Sequence, residues 1–199
     1  MSGHHGPSTA IDAPRSCLVL SVTKFVSESS SLVEAKDIMK ARFDLMHAAP
    51  GVIQAMLGLE RQVRQAGFDP KLIDLVRMRA SQINGCAYCL DMHSKDTRAN
   101  GETEQRLYGL EAWRETPYYS ARERAALEWT EALTLVSETR VPDEVYERVR
   151  EQFSEEELVS LSLAVVAING WNRLNIAART VPGDYVAGGL AKSRAVSHA

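Results

Sequence analysis

The stretch that decides the fold is LVSLSLAVVAINGWNRLNIAART, residues 158–180. Ser154 and Glu157 lie just ahead of it at the spacing of a capping box, which marks the start of a helix. From Leu158 to Ile168 the stretch is apolar almost all the way round, as in a helix that is buried on every side. A chain of 199 residues has limited room to enclose such a helix, so we expect a homo-oligomer in which it contacts a neighbouring subunit. The alternative is a central helix in a monomer.

Two asparagines, Asn169 and Asn172, interrupt the apolar character of this stretch. A side-chain amide that is buried needs hydrogen-bond partners. These residues therefore indicate either the wall of a site or a hydrogen bond between two helices.

Helical signals extend outward from this stretch and begin at about residue 31. Each predicted helix start is a capping box, an N-cap residue followed by proline, or a proline in the first turn: Ser31 with Glu34, Pro50, Asp69-Pro70, Ser120 with Glu123, and Pro142. Helix ends are predicted at Gly67, Asn84-Gly85 and Asn100-Gly101. The Asn84-Gly85 pair lies between two helical patterns, so it does not predict a β-hairpin. The sequence predicts an all-α fold, a bundle of about seven helices.

The composition is that of an ordinary globular protein, with 45% hydrophobic and 25% charged residues. This balance excludes a wholly disordered chain and a miniprotein held together by disulfides. The formal net charge of −3 argues against nucleic acid as a partner, because phosphate binding needs a concentrated basic face. No run of about 18 apolar residues occurs, so we expect no membrane partner.

The sequence divides into three parts. Residues 1–38 are interpreted as an N-terminal extension, either a tag or a leader, with Met39 as a candidate natural start. Residues 39–183 are predicted to form the helical domain. Residues 184–199 are small and polar and are predicted to be a flexible C-terminal tail.

The three cysteines are unevenly placed, since Cys17 stands alone while Cys86 and Cys89 form a C-x-x-C motif. A secreted disulfide framework has an even number of cysteines and many loops. The pattern favours a reducing compartment, and we expect a cytoplasmic protein in which one pair of thiols has a chemical role.

The stretch SQINGCAYCLDMHSKD, residues 81–96, carries that chemistry. Cys86, Cys89 and His93 lie at positions i, i+3 and i+7, which share one face of a helix. The start of a helix favours a negatively charged thiolate, and two cysteines at this spacing there are able to form a disulfide. An imidazole one turn further on is placed to take a thiol proton. The sequence predicts a dithiol oxidoreductase site.

The roles follow from position. Cys89 is nearer His93 and is predicted to attack, while Cys86 lies nearer the exposed end of the helix and is predicted to resolve the sulfenic acid. Asp74 on the preceding helix is the candidate for orienting His93, because Asp91 points off the shared face. A zinc site made of the same residues is the alternative, although one helix supplies a tetrahedron poorly.

The stretch RASQINGCAYCLDMH, Arg79 to His93, resembles the core of the AhpD-like alkylhydroperoxidases of the carboxymuconolactone decarboxylase superfamily. The resemblance covers roughly residues 39–183. It extends to four further segments: Gly101–Glu104, Ala112–Tyr119, Glu123–Glu131 and Ala167–Leu174.

This resemblance implies an all-helical fold that assembles as trimers or hexamers. It also implies that peroxides are reduced through the C-x-x-C pair without haem, flavin or metal, so we expect no cofactor. It assigns the sulfenic acid to Cys89, the resolving thiol to Cys86, and a proton relay to His93 and an upstream acid. The glutamate of the family falls on Asp74, which is one methylene shorter. A histidine that the well-studied member carries between its cysteines is replaced here by Tyr88.

We therefore expect a thiol-dependent peroxidase, a peroxiredoxin-type enzyme of antioxidant defence. Its expected partners are a hydroperoxide substrate and a dithiol or lipoyl-type protein reductant. The dithiol argues against lactone decarboxylation. Two alternatives stay open: a dithiol–disulfide oxidoreductase, and a non-catalytic oligomer that senses redox state or binds metal.

Overall fold

The computed structural model describes residues 39–188, which form helices joined by short loops. Within this range there are ten helical segments and no strand, so the all-α prediction is confirmed. Four segments have six residues or fewer, and the other six form the bundle. The segments are α1 Leu45–Ala48, α2 Pro50–Gln65, α3 Pro70–Asn84, α4 Ala87–Ala99, α5 Glu104–Tyr108, a 3-10 helix Leu110–Glu115, α6 Ala121–Thr134, α7 Val136–Thr139, α8 Asp143–Arg150 and α9 Glu155–Ala178.

The predicted helix starts that lie within residues 39–188 are found where the sequence places them. Asp69 is the N-cap of α3, and its carboxylate accepts a hydrogen bond of 3.0 Å from the backbone N–H of Lys71. The capping boxes that begin at Ser120 and Ser154 are both complete, at the start of α6 and of α9. An N-cap of this kind contributes about 1 kcal/mol to helix stability.

Helix α3 lies at the centre of the bundle and packs against α4, α6 and α9. Helix α9 also packs against α2 and α6. The main core contains apolar side chains from these helices and from the α8 region: Val63, Leu72, Ile73, Val76, Ala125, Ala126, Trp129, Val149, Phe153, Leu158, Leu161, Ala164, Val165 and Ala167. Because α3 is surrounded, residues at its C-terminal end are held from several sides.

One line along α9 faces outward in the single chain. Val159 is 71% exposed and Val166 is 56% exposed, whereas Leu161 and Val165 are buried. The apolar surface on this line is consistent with a subunit contact, and the homo-oligomer stays a prediction.

The chain beyond α9 lies against α4. Lys95 Nζ donates to the carbonyl oxygens of Gly183 and Tyr185, at 2.9 and 3.0 Å. The Tyr185 hydroxyl donates to Asp96 at 2.9 Å, and the Gly188 N–H donates to the same carboxylate. Within the described part of the predicted tail, Tyr185 and Gly188 are therefore hydrogen-bonded to the domain.

Several predicted features lie outside the described residues. These are the N-terminal extension 1–38, with Cys17 and the capping box at Ser31, and the tail beyond residue 188. The three-part division of the chain stays a prediction. In residues 39–188 no helix is both long and apolar enough to cross a membrane.

Candidate active site

A tight turn between α3 and α4 places the two cysteines. Gly85 ends α3 in the left-handed conformation, with φ of +65°, and its N–H bonds the carbonyl oxygen of Gln82. The Cys86 N–H donates to the carbonyl oxygen of Ser81 at 3.0 Å, which completes a Schellman-type helix end. Cys86 is then the N-cap of α4. The turn therefore puts its sulfur at a helix N-terminus, where backbone N–H groups stabilise negative charge.

The two sulfurs lie close together and are both reduced. Cys86 Sγ and Cys89 Sγ are 2.8 Å apart and share a thiol hydrogen bond. The sequence predicted Cys86 to be near an exposed helix end, but both cysteines are buried, at 1% and 0% exposure. They differ in another way, since Cys89 lines the cavity described below and Cys86 does not.

The two thiols differ in acidity. The pKa of Cys86 is lowered to about 7, because the Cys89 thiol hydrogen-bonds it and because the backbone N–H groups of Cys89 and Tyr88 point at it. The pKa of Cys89 is raised, because it is the hydrogen-bond partner of that sulfur and is buried. Of the two thiols, Cys86 is therefore the one that loses its proton more readily.

His93 lies one turn beyond Cys89, is buried and lines the same cavity. Its pKa is lowered to about 3, because burial penalises the charged imidazolium and because Arg77 repels it. The ring is therefore neutral near pH 7, and so low a pKa makes it a weak proton acceptor in the resting site.

Asp74 on α3 is also buried at the cavity wall. It accepts hydrogen bonds from Asn100 Nδ2 at 2.8 Å and from Arg77 Nη1 at 3.5 Å. Burial nevertheless raises the pKa of its carboxyl group. Asp74 and His93 face one cavity without a direct hydrogen bond between them, so the orienting role of Asp74 stays a prediction.

The cavity has a volume of about 960 Å³. Its wall combines the candidate residues with apolar and aromatic side chains: Phe43, Leu45, Met46, Leu57, Met92, Trp171, Val181 and Tyr185. Glu60 is also part of the wall, and its carboxylate binds Arg77 Nη2 at 2.5 Å. Sequence reasoning missed Glu60 and Arg77, which lie 17 residues apart and meet only because α2 and α3 are neighbours.

On the side of α9, buried asparagines contact the dithiol. Asn175 Nδ2 lies 3.7 Å from Cys89 Sγ, and Asn172 Nδ2 donates to Ser81 Oγ at 3.0 Å. The sequence indicated that Asn172 needs buried partners, which the structure provides. Asn175 was missed, although its spacing of three from Asn172 is the signal that would have found it.

A metal centre has little support in the geometry. Within residues 39–188, no group of three or more His, Cys, Asp or Glu side chains is arranged to hold a metal ion. The candidate site is therefore described by its thiols, its imidazole and its carboxyl group.

Known proteins resemble this chain over most of the described range. The model of the carboxymuconolactone decarboxylase family matches residues 50–132. The uncharacterized protein YdfG of Bacillus subtilis is 46% identical over 139 residues, covering 70% of this chain and 95% of YdfG.

Solved structures of similar proteins have the same fold. A protein of unknown function from Agrobacterium tumefaciens, proposed to be the antioxidant defence protein AhpD, is 40% identical with a TM-score of 0.71. The match covers 73% of this chain and 100% of the Agrobacterium protein. The debrominase Bmp8 shares the fold at 21% identity and a TM-score of 0.63, over 70% of this chain and 75% of Bmp8. On this evidence, the chain belongs to the carboxymuconolactone decarboxylase family and has an AhpD-like fold.

Proposed function

We propose that this protein is a thiol-dependent peroxidase that reduces hydroperoxides through Cys89 and Cys86. The observation that carries the proposal is the arrangement of the dithiol. Two reduced sulfurs lie 2.8 Å apart, and only Cys89 lines the cavity, where it is followed one turn later by a neutral imidazole. An attacking thiol, a resolving thiol and a base are thus close together.

The first step oxidises Cys89. Its thiol proton passes to the adjacent Cys86 thiolate or to His93, and the Cys89 thiolate attacks the terminal oxygen of the hydroperoxide. The O–O bond breaks, an S–O bond forms, and the leaving alkoxide takes a proton to become an alcohol. Cys89 is oxidised by two electrons to a sulfenic acid, and the hydroperoxide is reduced by two.

The second step closes the disulfide. Cys86 attacks the Cys89 sulfenic acid, the S–O bond breaks, and hydroxide leaves with a proton as water. The lowered pKa of Cys86 supports this role, because a thiolate is the attacking form near neutral pH. A dithiol then reduces the disulfide and is itself oxidised to a disulfide, which returns both thiols.

Asp74 acts in this proposal as the outer member of the proton relay. No hydrogen bond joins its carboxyl group directly to His93, so a water molecule in the cavity would connect them. The raised pKa of Asp74 supports such a role, because burial makes its carboxylate a stronger base than an exposed one.

The cavity supports a hydroperoxide that carries a sizeable apolar group. A volume of about 960 Å³ greatly exceeds what hydrogen peroxide needs, and much of the wall is apolar or aromatic. As physiological setting we propose antioxidant defence with a dithiol or lipoyl-type protein as reductant, in a cytoplasmic homo-oligomer, a trimer or a hexamer.

A dithiol–disulfide oxidoreductase is the second candidate. The same cavity volume favours it, because a bulky disulfide would also fit beside Cys89. The two functions differ in their oxidant, so they are separable by kinetics.

The test uses a Cys17→Ser parent, which has only the C-x-x-C thiols. With dithiothreitol as reductant, we expect saturable consumption of an apolar hydroperoxide. Without any reductant, we expect one equivalent of peroxide to remove two protein thiols. The Cys89→Ser variant is the matched inactive control. Slow, unsaturable peroxide consumption together with fast, saturable reduction of a disulfide substrate would reject the peroxidase in favour of the second candidate. Negligible turnover with both oxidants would favour a redox sensor.

A further inference from the structure

Helix α9 presents three asparagines, Asn169, Asn172 and Asn175, at a spacing of three residues, and all three are buried. This spacing keeps them near one face of a helix, which here is turned toward α3 and α4. Buried amides need hydrogen-bond partners, and this row of asparagines leads to the sulfur atoms of the dithiol.

The orientation of the Asn175 amide follows from its surroundings. Its Nδ2 donates to the carbonyl oxygen of Trp171 at 2.9 Å. A carbonyl only accepts hydrogen bonds, so the nitrogen of the amide has to lie on this side. The second N–H of the same nitrogen is then directed at Cys89 Sγ, 3.7 Å away.

Asn172 is oriented in the same manner. Its Oδ1 accepts a hydrogen bond of 2.9 Å from Asn84 Nδ2, which leaves the nitrogen to donate. Nδ2 donates to Ser81 Oγ at 3.0 Å, and the amide lies near enough to the dithiol to lower the pKa of both thiols.

A further layer holds these donors in place. Asn84 Nδ2 also lies 2.9 Å from the carbonyl oxygen of Ala80 and 3.0 Å from Asn169 Oδ1, so its two N–H groups are shared among three acceptors. Asn169 Nδ2 in turn donates to Thr134 Oγ1 at 3.0 Å. The amides near the dithiol are therefore fixed before any charge develops, and donors of this kind need no reorganisation during the reaction.

We propose that Asn175 is a catalytic residue whose side-chain amide donates to Cys89 Sγ and stabilises the negative charge on that sulfur when it attacks, with Asn172 as the second donor. The proposal rests on the proposed function, in which Cys89 is the attacking thiol. It explains how a buried sulfur with a raised pKa becomes a thiolate, since the two amides oppose the effects of burial and of Cys86.

Several titratable or charged groups lie near Cys89, and the test has to report on the Asn175 amide rather than on them. Cys86 and Tyr88 lie beside Cys89, and further titratable or charged side chains line the same cavity: Asp44, Glu60, Arg64, Asp74, Arg77, His93, Asp96 and Tyr185. From α9 it meets the amides of Asn172 and Asn175. Changing Asn175 alone leaves every one of the titratable groups in place.

The experiment measures the pKa of Cys89 when it is the only cysteine, in a Cys17→Ser/Cys86→Ser parent. The rate of alkylation by iodoacetamide is followed against pH. Asn175→Leu keeps the shape of the side chain and removes the donor, so we expect the pKa to rise by about one to two units, the effect of one hydrogen bond to a charged acceptor. Asn175→Asp places a carboxylate there, and we expect a larger rise.

Ser162→Ala is the matched control on the same helix. It removes the acceptor of a 3.0 Å hydrogen bond from Trp129 Nε1, and Ser162 is bonded to that ring and to its own helix rather than to the dithiol. We expect the pKa of Cys89 to be unchanged in this variant. An unchanged pKa in Asn175→Leu, or an equal rise in Ser162→Ala, would overturn the proposal.

A measurement on the sole-cysteine parent covers the case in which the Asn175 variants do not fold. With 15N-labelled asparagine, a side-chain amide resonance should shift with pH at the midpoint of Cys89 alkylation. If no asparagine amide follows this titration, the proposal is wrong. Alkylation needs no peroxide, so a protein that lacks peroxidase turnover but shows these shifts counts against the proposed function alone.

Discussion

Asn100 Nδ2 donates a hydrogen bond of 2.8 Å to Asp74 Oδ2, which joins the C-terminal end of α4 to the buried acid on α3. Asn100 is the C-cap of the helix that carries His93. This hydrogen bond fixes the position of the Asp74 carboxyl group relative to the helix that carries His93. The bond also lowers the pKa of Asp74, against the larger effect of burial.

Replacing Asn100 should therefore change both stability and proton transfer. We expect Asn100→Ala to lower the free energy of unfolding by about 1–2 kcal/mol, as for the loss of one hydrogen bond to a carboxylate. It should also raise the pKa of Asp74, because its strongest hydrogen-bond donor is lost. Urea unfolding and the pH dependence of kcat/KM measure the two effects. A destabilised variant with an unshifted pH profile would show that the bond is structural only.

Asp74→Asn should separate stability from activity. The folded state raises the pKa of Asp74 above its ordinary value of 3.8, so the carboxyl group contributes stability below pH 3.8 that is lost as the pH rises through the folded pKa. An amide does not ionise, and we therefore expect Asp74→Asn to gain stability relative to the parent as the pH rises. Melting temperatures at pH 3.5 and pH 7 measure this gain.

The same variant should react with peroxide more slowly, by about 10²–10⁴-fold if the carboxyl group takes part in the proton relay. Asp74→Glu is the matched control, because it retains an acid. A fully active Asp74→Asn enzyme would remove the carboxyl group from the mechanism.

The roles of the cysteines are tested by trapping. In a Cys17→Ser parent we expect Cys86→Ser to leave a sulfenic acid on Cys89 that a dimedone-type reagent captures, because the resolving thiol is absent. Cys89→Ser should give no captured product with peroxide. Mass spectrometry of the labelled peptide identifies the sulfur. The opposite pattern, with the label on Cys86, would make the more acidic thiol the attacking one.

Local rules explain what was predictable from the sequence. Helix starts follow from capping chemistry, and the common face of Cys86, Cys89 and His93 follows from helical periodicity. The pairings between helices follow from packing, which no local pattern encodes. For this reason Asn100 was interpreted only as a helix end, and Asn175 was not recognised as a neighbour of the dithiol.

His93 should make the protein sensitive to acid. The fold lowers its pKa from 6.5 to about 3, so its contribution to stability is present above pH 6.5 and is lost as the pH falls toward 3. We expect His93→Gln to lose less stability than the parent between pH 6.5 and pH 4. The comparison variant is His47→Gln, which removes an exposed imidazole and leaves the buried ring in place. Equal acid sensitivity of His93→Gln and the parent would contradict a buried, neutral imidazole.

Peroxide kinetics of His93→Gln test the catalytic role separately. We expect kcat/KM to fall by about 10²–10⁴-fold, the usual effect of a positioned general base. A small effect would indicate that the proton of Cys89 passes to Cys86, which lies 2.8 Å away, without help from the ring.

The turn at Gly85 should be as important for the site as the reactive side chains. Its φ of +65° is strained for any residue with a Cβ, so we expect Gly85→Ala to cost about 1–2 kcal/mol of unfolding free energy. The backbone can relieve this strain only by moving, and the next residue is Cys86. We therefore also expect slower closure of the disulfide, measured as the rate at which one equivalent of peroxide removes two thiols.

Gly51→Ala is the matched control for this prediction. Gly51 lies in the first turn of α2, and a Cβ added there meets no atom within 4 Å. Because alanine restricts the unfolded chain more than glycine does, this variant should be more stable than the parent by about 0.4–1 kcal/mol, with unchanged disulfide closure. If Gly85→Ala were as stable as Gly51→Ala, the left-handed turn would carry no strain. If it were destabilised yet closed its disulfide at the parent rate, the position of Cys86 would not depend on the turn.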